Sequence, residues 1–425
     1  MGLVDPNINQ PKVHQVSVGI SRETFWGLAA EARYVGTFGR GIWKGIDMNQ
    51  VQVSQAFADD FQRARNNGYL ALSANGVFDP VYNPAIAGSV PLTVLPTYGV
   101  SLLGGSSART FIQQNEAAGL ADFYVTSRAA GALSTFYQNG GIYQAAVTKN
   151  DGWQNYNAMQ LELRRQYRNG FMFQVNYTFS QTRANSTGGT SQSRFEPYLD
   201  NARPQLDAGR SAYNITQLVN GNLIFDLPFG QGRKWLNKGG VTNVLVGGWQ
   251  VSSIVHWQSG SPLGIYSTRG TFNRANRSGA STANSTLSVD QIAKLFKVTK
   301  LADGRIFWID PSLVGADGRA VGADNLTNAA GFAGQMFFNP VAGQVGSLPI
   351  LAFDAPPIWT IDASLAKKTR IVGRYNIEFR VEAFNLTNSV SFYTGDFNIN
   401  STTFGRLTGT GNTARIVQFT VRFSF

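Results

Sequence analysis

The residues most able to do chemistry are carboxylates spaced two apart from arginines: Glu378, Arg380 and Glu382, with Asp362 earlier in the chain. Two carboxylates facing one space can serve as the acid and base of a glycosidase. Side chains two apart on a strand share a face, however, so these residues form a charge-balanced stripe. Glu31 with Arg33 and Glu162 with Arg164 repeat the pattern. A solvated polar wall explains all three, and no catalytic residue is assigned. His14 and His256 are the two histidines and lie in distant segments, which gives no metal-ligand spacing. The absence of cysteine removes disulfides, thiolate metal sites and a cysteine nucleophile. No serine sits in a G-x-S-x-G elbow, and Gly36–Gly41 and Gly230–Gly232 lack the spacing of a phosphate loop. No cofactor is implied.

The elements that position these residues are strands. In the closing segment, Arg415–Phe425, Val417, Phe419, Val421, Phe423 and Phe425 alternate with Gln418, Thr420, Arg422 and Ser424. One face is apolar and aromatic, the other polar. A soluble edge strand reads the same way, but rarely ends on its apolar face with an aromatic; a strand between lipid and a watery lumen does. Alternation recurs in Val13–Arg22, Trp26–Tyr34, Tyr156–Tyr167, Phe171–Phe179, Gln217–Leu227, Trp249–Gln258, Trp359–Lys367 and Tyr375–Ala383. Arg168-Asn169-Gly170 is a tight hairpin signal.

Composition agrees. No apolar run reaches the ~18 residues of a membrane helix, and mean hydropathy is −0.14. Barrels escape that test because only alternate residues meet lipid. Charged residues are only 14%, against 46 glycines and 12% aromatics, which suits glycine-bent, aromatic-girdled strands. The net charge of +11 is dispersed as singles and doublets such as Arg164-Arg165 and Lys367-Lys368, so nucleic acid is not an expected partner. Lipid head groups or solvated loops account for it.

Three segments carry aromatics eight residues apart on the apolar face: Trp26 and Tyr34, Phe171 and Phe179, Trp249 and Trp257. At about 3.3 Å per residue and a tilt near 40°, that spacing rises roughly 20 Å, close to the ~25 Å lipid band that aromatic girdles bracket. A sandwich core gives no reason for it. Short turns and long connections also alternate, as in barrels with periplasmic turns and external loops. The expected fold is all-β: a partial antiparallel transmembrane barrel of about nine or more strands. Its long external loops, about 36–152, 181–216, 259–357 and 388–414, should contain short helices. Those helices are expected near Gln55–Arg65, near Phe111–Phe123, and at Val289–Phe296 behind the capping box Ser288–Gln291. A complete barrel has an even strand count and an exported one has a signal peptide. Nine strands and the start Met1-Gly-Leu-Val-Asp-Pro therefore predict a piece of a longer protein.

The order of several phrases resembles the barrel of Oar-like TonB-dependent receptors of the acidobacterial type. They are Asp5–Pro11, VSVGISRE, EARYVGTFGRGI, Asn155–Thr182, Phe225–Leu263, FRVEAFNLTNSVSF and STTFGRL. The likeness covers the strand regions in order; the long loops match poorly. It implies a C-terminal part of an outer-membrane barrel, residues 1–425, whose plug lies outside this sequence and would engage the TonB complex. Outer-membrane lipid and lipopolysaccharide, the barrel-assembly machinery and an unidentified ligand are the implied partners, and uptake across the outer membrane is the implied function. A structural or adhesive barrel without transport is the main alternative; a soluble β-rich carbohydrate-binding module is a further one.

In outer-membrane proteins the terminal aromatic strand is read by the assembly machinery, and Phe419, Val421, Phe423 and Phe425 fit that signal. Replacing Phe423 and Phe425 with Ser in the full-length protein should lower the amount of heat-modifiable barrel in isolated outer membranes. Undiminished assembly would remove that role.

Overall fold

A computed structural model describes residues 2–142, 145–186, 196–272, 281–322 and 331–425. Nine long strands appear: β1 (Lys12–Glu23), β2 (Leu28–Asp47), β3 (Ala146–Arg168), β4 (Phe171–Ala184), β5 (Gln217–Asp226), β6 (Trp249–Gln258), β7 (Ile358–Val372), β8 (Tyr375–Phe384) and β9 (Ile416–Ser424). Each pairs antiparallel with its neighbour in sequence, giving one meander from β1 to β9. Two short segments join it: Gly2–Val4 runs parallel to β3, and Gly209–Arg210 pairs with β4. The sheet is open, with β1 and β9 at its edges.

Register decides which side chains share a face. The row Phe171–Phe225–Val251–Leu365–Val381–Phe419 crosses six strands without a polar residue. The row Ser21–Glu31–Glu162–Asn176–Asn220–His256–Thr360 crosses seven without an apolar one. A one-residue slip anywhere would exchange the two faces. The turn at Asn169-Gly170 helps prevent it: both residues have positive φ (55° and 76°), the requirement of a two-residue hairpin matched to strand twist.

Because every pairing among β1 to β9 is antiparallel, the connections sort to two ends. Thr24–Gly27, Asn169–Gly170, Leu227–Gly248 and Gly373–Arg374 lie at one; the long ones lie at the other. Several expected boundaries move. β2 continues to Asp47 and β3 starts at Ala146, so the first long connection spans 48–145, not 36–152. The helix expected near Gln55–Arg65 is α1 (Gln55–Asn75), a long helix rather than a short one. It passes through Gly68 because the Phe78 ring lies where a Cβ would stand, 2.2 Å away, and it stops at Gly76 in the left-handed region. After α2 (Val100–Leu103), the single helix expected near Phe111–Phe123 is two, α3 (Ser106–Gln113) and α4 (Ala117–Thr126), split at Asn115 (φ 62°). α5 is Ala132–Phe136 and α6 is Val241–Val246. The capping box at Ser288 and Gln291 forms, but its helix α7 is only Val289–Ala293, because Phe296–Lys300 pairs as a short strand with Ile306–Ile309.

The hydrophobic core lies in the loops. The largest fully buried side chains, among them Phe57, Phe61, Tyr124, Phe136, Phe337 and Phe404, all stand in the long connections. One core is built by 48–145 together with Ala342 from the 259–357 connection, around Phe57 and Tyr124. A second combines 259–357 with the connection after β8, through Phe337, Phe353, Phe397 and Phe404. Midway across the sheet, by contrast, Met159 and Phe179 on the apolar face are 51% and 50% exposed. Among the described residues no protein layer covers that face, whereas a soluble carbohydrate-binding module would have to bury it.

Phe57→Ala should remove about 3–5 kcal/mol from the first loop body. Limited proteolysis should then cut within 48–145 while the heat-modifiable barrel persists; unchanged resistance would show that this core does not hold the loop.

Candidate functional site

The polar face carries the charged residues singled out in the sequence. Glu31 and Glu162 stand directly opposite each other on β2 and β3, and like charges so placed repel. Arginines compensate from either side: Arg33 pairs with Glu31, and Arg164 lies 3.7 Å from Glu162. Gln174 donates to Glu162 at 3.2 Å. On β8, Arg380 binds Glu378 at 2.6 Å and Glu382 at 3.6 Å, and Glu378 sits in register between Lys368 and Arg422. Both carboxylates are thus engaged by a guanidinium, as a balanced ladder rather than a free acid/base pair. Such part-exposed pairs stabilise by only about 0.2–1 kcal/mol each, so their effect is to hold charge on the wall without net repulsion.

Asp362 does something else. Its carboxylate accepts the Asn385 N–H at 2.8 Å, and so fastens the turn that leaves β8. It still lines one shallow depression with Asn222, Ser252, Ser364, Arg380 and Glu382. His256 is on this face, its ring nitrogens 2.7 Å from Asn220 Oδ1 and 3.2 Å from Gln258 Oε1. His14 is on the opposite face, in register with Phe38. The two histidines are not brought together.

Tyr34, Phe171, Phe179, Trp249 and Trp257 share the apolar face, with polar groups near both ends of the strands. At the loop end the Tyr34 hydroxyl donates to Asn157 at 2.7 Å, and Arg40 donates to Asn155 at 2.6 Å. At the turn end the Arg165 guanidinium lies 5.1 Å from the Phe171 ring and the Lys367 ammonium 5.0 Å from the Trp249 ring. Trp26 is the exception. It lies in a 3-10 turn, Phe25–Gly27, with φ 66°, because β2 begins only at Leu28. The terminal aromatics extend the face across the edge: Phe423 stacks on Tyr375 with centroids 5.9 Å apart, and Phe419 on Phe379 at 6.5 Å.

Sequence reasoning missed the residues that fix the loop bodies over this wall. The Lys44 ammonium sits 3.7 Å from the Tyr198 ring, and the Tyr198 hydroxyl donates to Asp151 at 2.9 Å. Gln50 donates to the Tyr198 carbonyl at 2.8 Å, and Asp207 accepts the Leu199 N–H at 3.0 Å. Arg210 reaches the other body, donating to Asp354 at 2.6 Å and to the Leu351 carbonyl at 3.0 Å. The bodies are fastened to each other where Gly270 accepts from Ala118 and Gly119, Asn115 donates to Pro340, and Arg269 bridges to Glu116 at 3.3 Å. Burial, opposed by Arg269, raises the Glu116 pKa. These partners lie far apart in the chain and carry no local signal.

The arrangement presents charged and amide side chains along one face of the sheet, with two packed loop bodies at the end of the strands. Residues 2–418 match the family described as the outer membrane beta barrel domain. Among solved structures, the chain is similar to the outer membrane transporter YddB from Escherichia coli, at 8% identity and a TM-score of 0.37, covering 98% of this chain and 33% of that one. It is also similar to a chain of the FpvAI–pyocin S2 complex, at 10% identity and a TM-score of 0.34, covering 97% and 28%. The chain thus spans about a third of the length of these structures. No curated protein matches it in sequence.

Burial, opposed by the nearby Lys44 ammonium, pushes the Asp207 carboxyl from 3.8 up to about 6. Between those values the folded clamp holds a proton that the unfolded chain lacks, so its stability falls as pH rises from about 4 through about 6. Hydrogen exchange of the 198–210 amides, corrected for intrinsic rates, should show weaker protection at pH 7.5 than at pH 4.5. Asp207→Asn should flatten the difference; a wild-type profile that is already flat would contradict it.

Proposed function

This chain belongs to the outer-membrane β-barrel domain family and resides in the outer membrane, and from that premise we propose that it forms the ligand-binding wall and external cap of a TonB-dependent receptor of Oar-like type. The observation that carries the reading is the pairing of a polar, charge-balanced face with long loops folded into two packed bodies at one end of the strands. A receptor needs both: a wetted path and an ordered external surface that meets the ligand first.

In this reading Glu31, Arg33, Glu162, Arg164, Asp362, Glu378, Arg380 and Glu382 face the lumen. Tyr34, Phe171, Phe179, Trp249 and Trp257 hold the strands at the lipid boundaries, and Phe419 to Phe425 guide assembly. The chain is one part of a longer receptor, and energy reaches it through a plug and the TonB complex. It is not an enzyme. The packed loop bodies also favour a second reading, an adhesive barrel that binds at the surface without transport.

The two differ in energy dependence. Cells expressing the full-length protein, offered labelled ferric siderophores, cobalamin, oligosaccharides and peptides, should accumulate one class, and a protonophore should abolish the accumulation. Surface binding that survives the protonophore without accumulation would favour the adhesive barrel.

A further inference from the structure

At the short-turn end, one connection stands apart. Leu227–Gly248 joins β5 to β6 with an ordered fold, although a two-residue turn suffices between β3 and β4. Gly230 donates to the Trp235 carbonyl at 3.1 Å, and Trp235 donates back to Pro228 at 2.9 Å. The Asn243 side chain accepts Gln231 N–H at 2.8 Å, and Lys367 donates to the Gly247 carbonyl at 2.6 Å. Gly248 (φ 74°) passes so close to β7 that a Cβ would lie 2.2 Å from the Lys368 carbonyl oxygen.

This ordered scaffold presents apolar side chains outward. Val241, Val244 and Leu245 lie on one side of α6, at spacings of three and four, and Val241 and Leu245 are 75% and 65% exposed. Leu236 is also exposed and is held at φ 54°, a conformation costly for leucine. The patch is continuous with the lipid-facing band: Leu236 and Leu245 line one shallow concavity with Trp249 and Leu365. Its charge is one-sided. No acidic residue occurs from Leu227 to Gly248, which holds Arg233, Lys234 and Lys238. Arg233 is bound to Asp226 at 3.0 Å; among the described residues no carboxylate pairs with Lys234 or Lys238.

We propose that Leu227–Gly248 is an interfacial foot, which sets Leu236, Val241 and Leu245 into the phospholipid leaflet at the turn end and brings Lys234 and Lys238 to head-group phosphates. Amphipathic segments with basic polar sides sit about 5–10 Å into that boundary. The foot fixes the depth of the barrel wall where the strands leave lipid, whatever ligand the receptor takes.

The chain has no cysteine, so single substitutions give unique labels. Nitroxide-labelled Leu245→Cys, Val241→Cys and, as an exposed polar reference, Gln231→Cys variants of the full-length protein, cleared of any other cysteine, would be reconstituted in phosphatidylethanolamine–phosphatidylglycerol vesicles and checked for heat-modifiable folding. Labels at 245 and 241 should meet dissolved oxygen readily and an aqueous nickel chelate at least about tenfold less than the label at 231. Adding Lys234→Gln and Lys238→Gln should raise chelate access at 245 severalfold. Equal chelate access at 245 and 231 would put the patch in water. Protection from both relaxers would mean protein covers it, and no effect of the lysine changes would remove the phosphate contact. Any of these overturns the proposal.

Discussion

The lateral ladder of backbone hydrogen bonds is the constraint on which the rest depends. A strand that meets lipid has no water to satisfy its amides and carbonyls, so each must find a partner on the neighbouring strand. From β1 to β9 those pairings are antiparallel and sequential, with bulges confined mainly to strand ends. Once that ladder is set, register follows, and with it the separation of Phe171–Phe225–Val251–Leu365 from Glu31–Glu162–Asn176–Asn220. The two faces meet different media, and the sheet needs no packed core of its own.

The core sits elsewhere. Phe57, Tyr124, Phe337 and Phe404 are buried in connections that meet water, where the hydrophobic effect drives packing as in any soluble domain. One chain thus folds under two regimes. Lys44, Tyr198 and Asp207 join them, and at that junction Lys44 and Asp207 are buried rather than solvated. The same contrast separates the turns. Asn169-Gly170 only reverses the chain, whereas Leu227–Gly248 spends an ordered scaffold on holding apolar side chains outward.

All nine strands were legible in the sequence, because alternation at a period of two is a local property that lipid and water impose on every strand alike. The residues of the polar wall were legible for the same reason. Their neighbours were not: Glu31 meets Glu162, and Glu378 stands between Lys368 and Arg422, only through strand pairing. Trp26 shows the limit of a local pattern. It continues the alternation of β2 in sequence, yet a turn with φ 66° takes it off the strand.

By itself, then, the sequence determined the strands, their two faces, the tight hairpin, the capping box and the outer-membrane setting, all of which follow from neighbours a few residues apart. Only the tertiary structure decided the rest: the extent of α1 past Gly68, the break at Asn115, the two loop cores and their fastening through Arg269, Glu116, Lys44 and Tyr198. Each of these depends on contacts beyond the reach of a local helix or strand period, most of them across distant stretches of chain. Phe78 fills the space above Gly68, Pro340 receives Asn115, and Gly270 receives two amides of α4. A packing partner that arrives from far along the chain leaves no periodicity behind it, so only the folded chain records it.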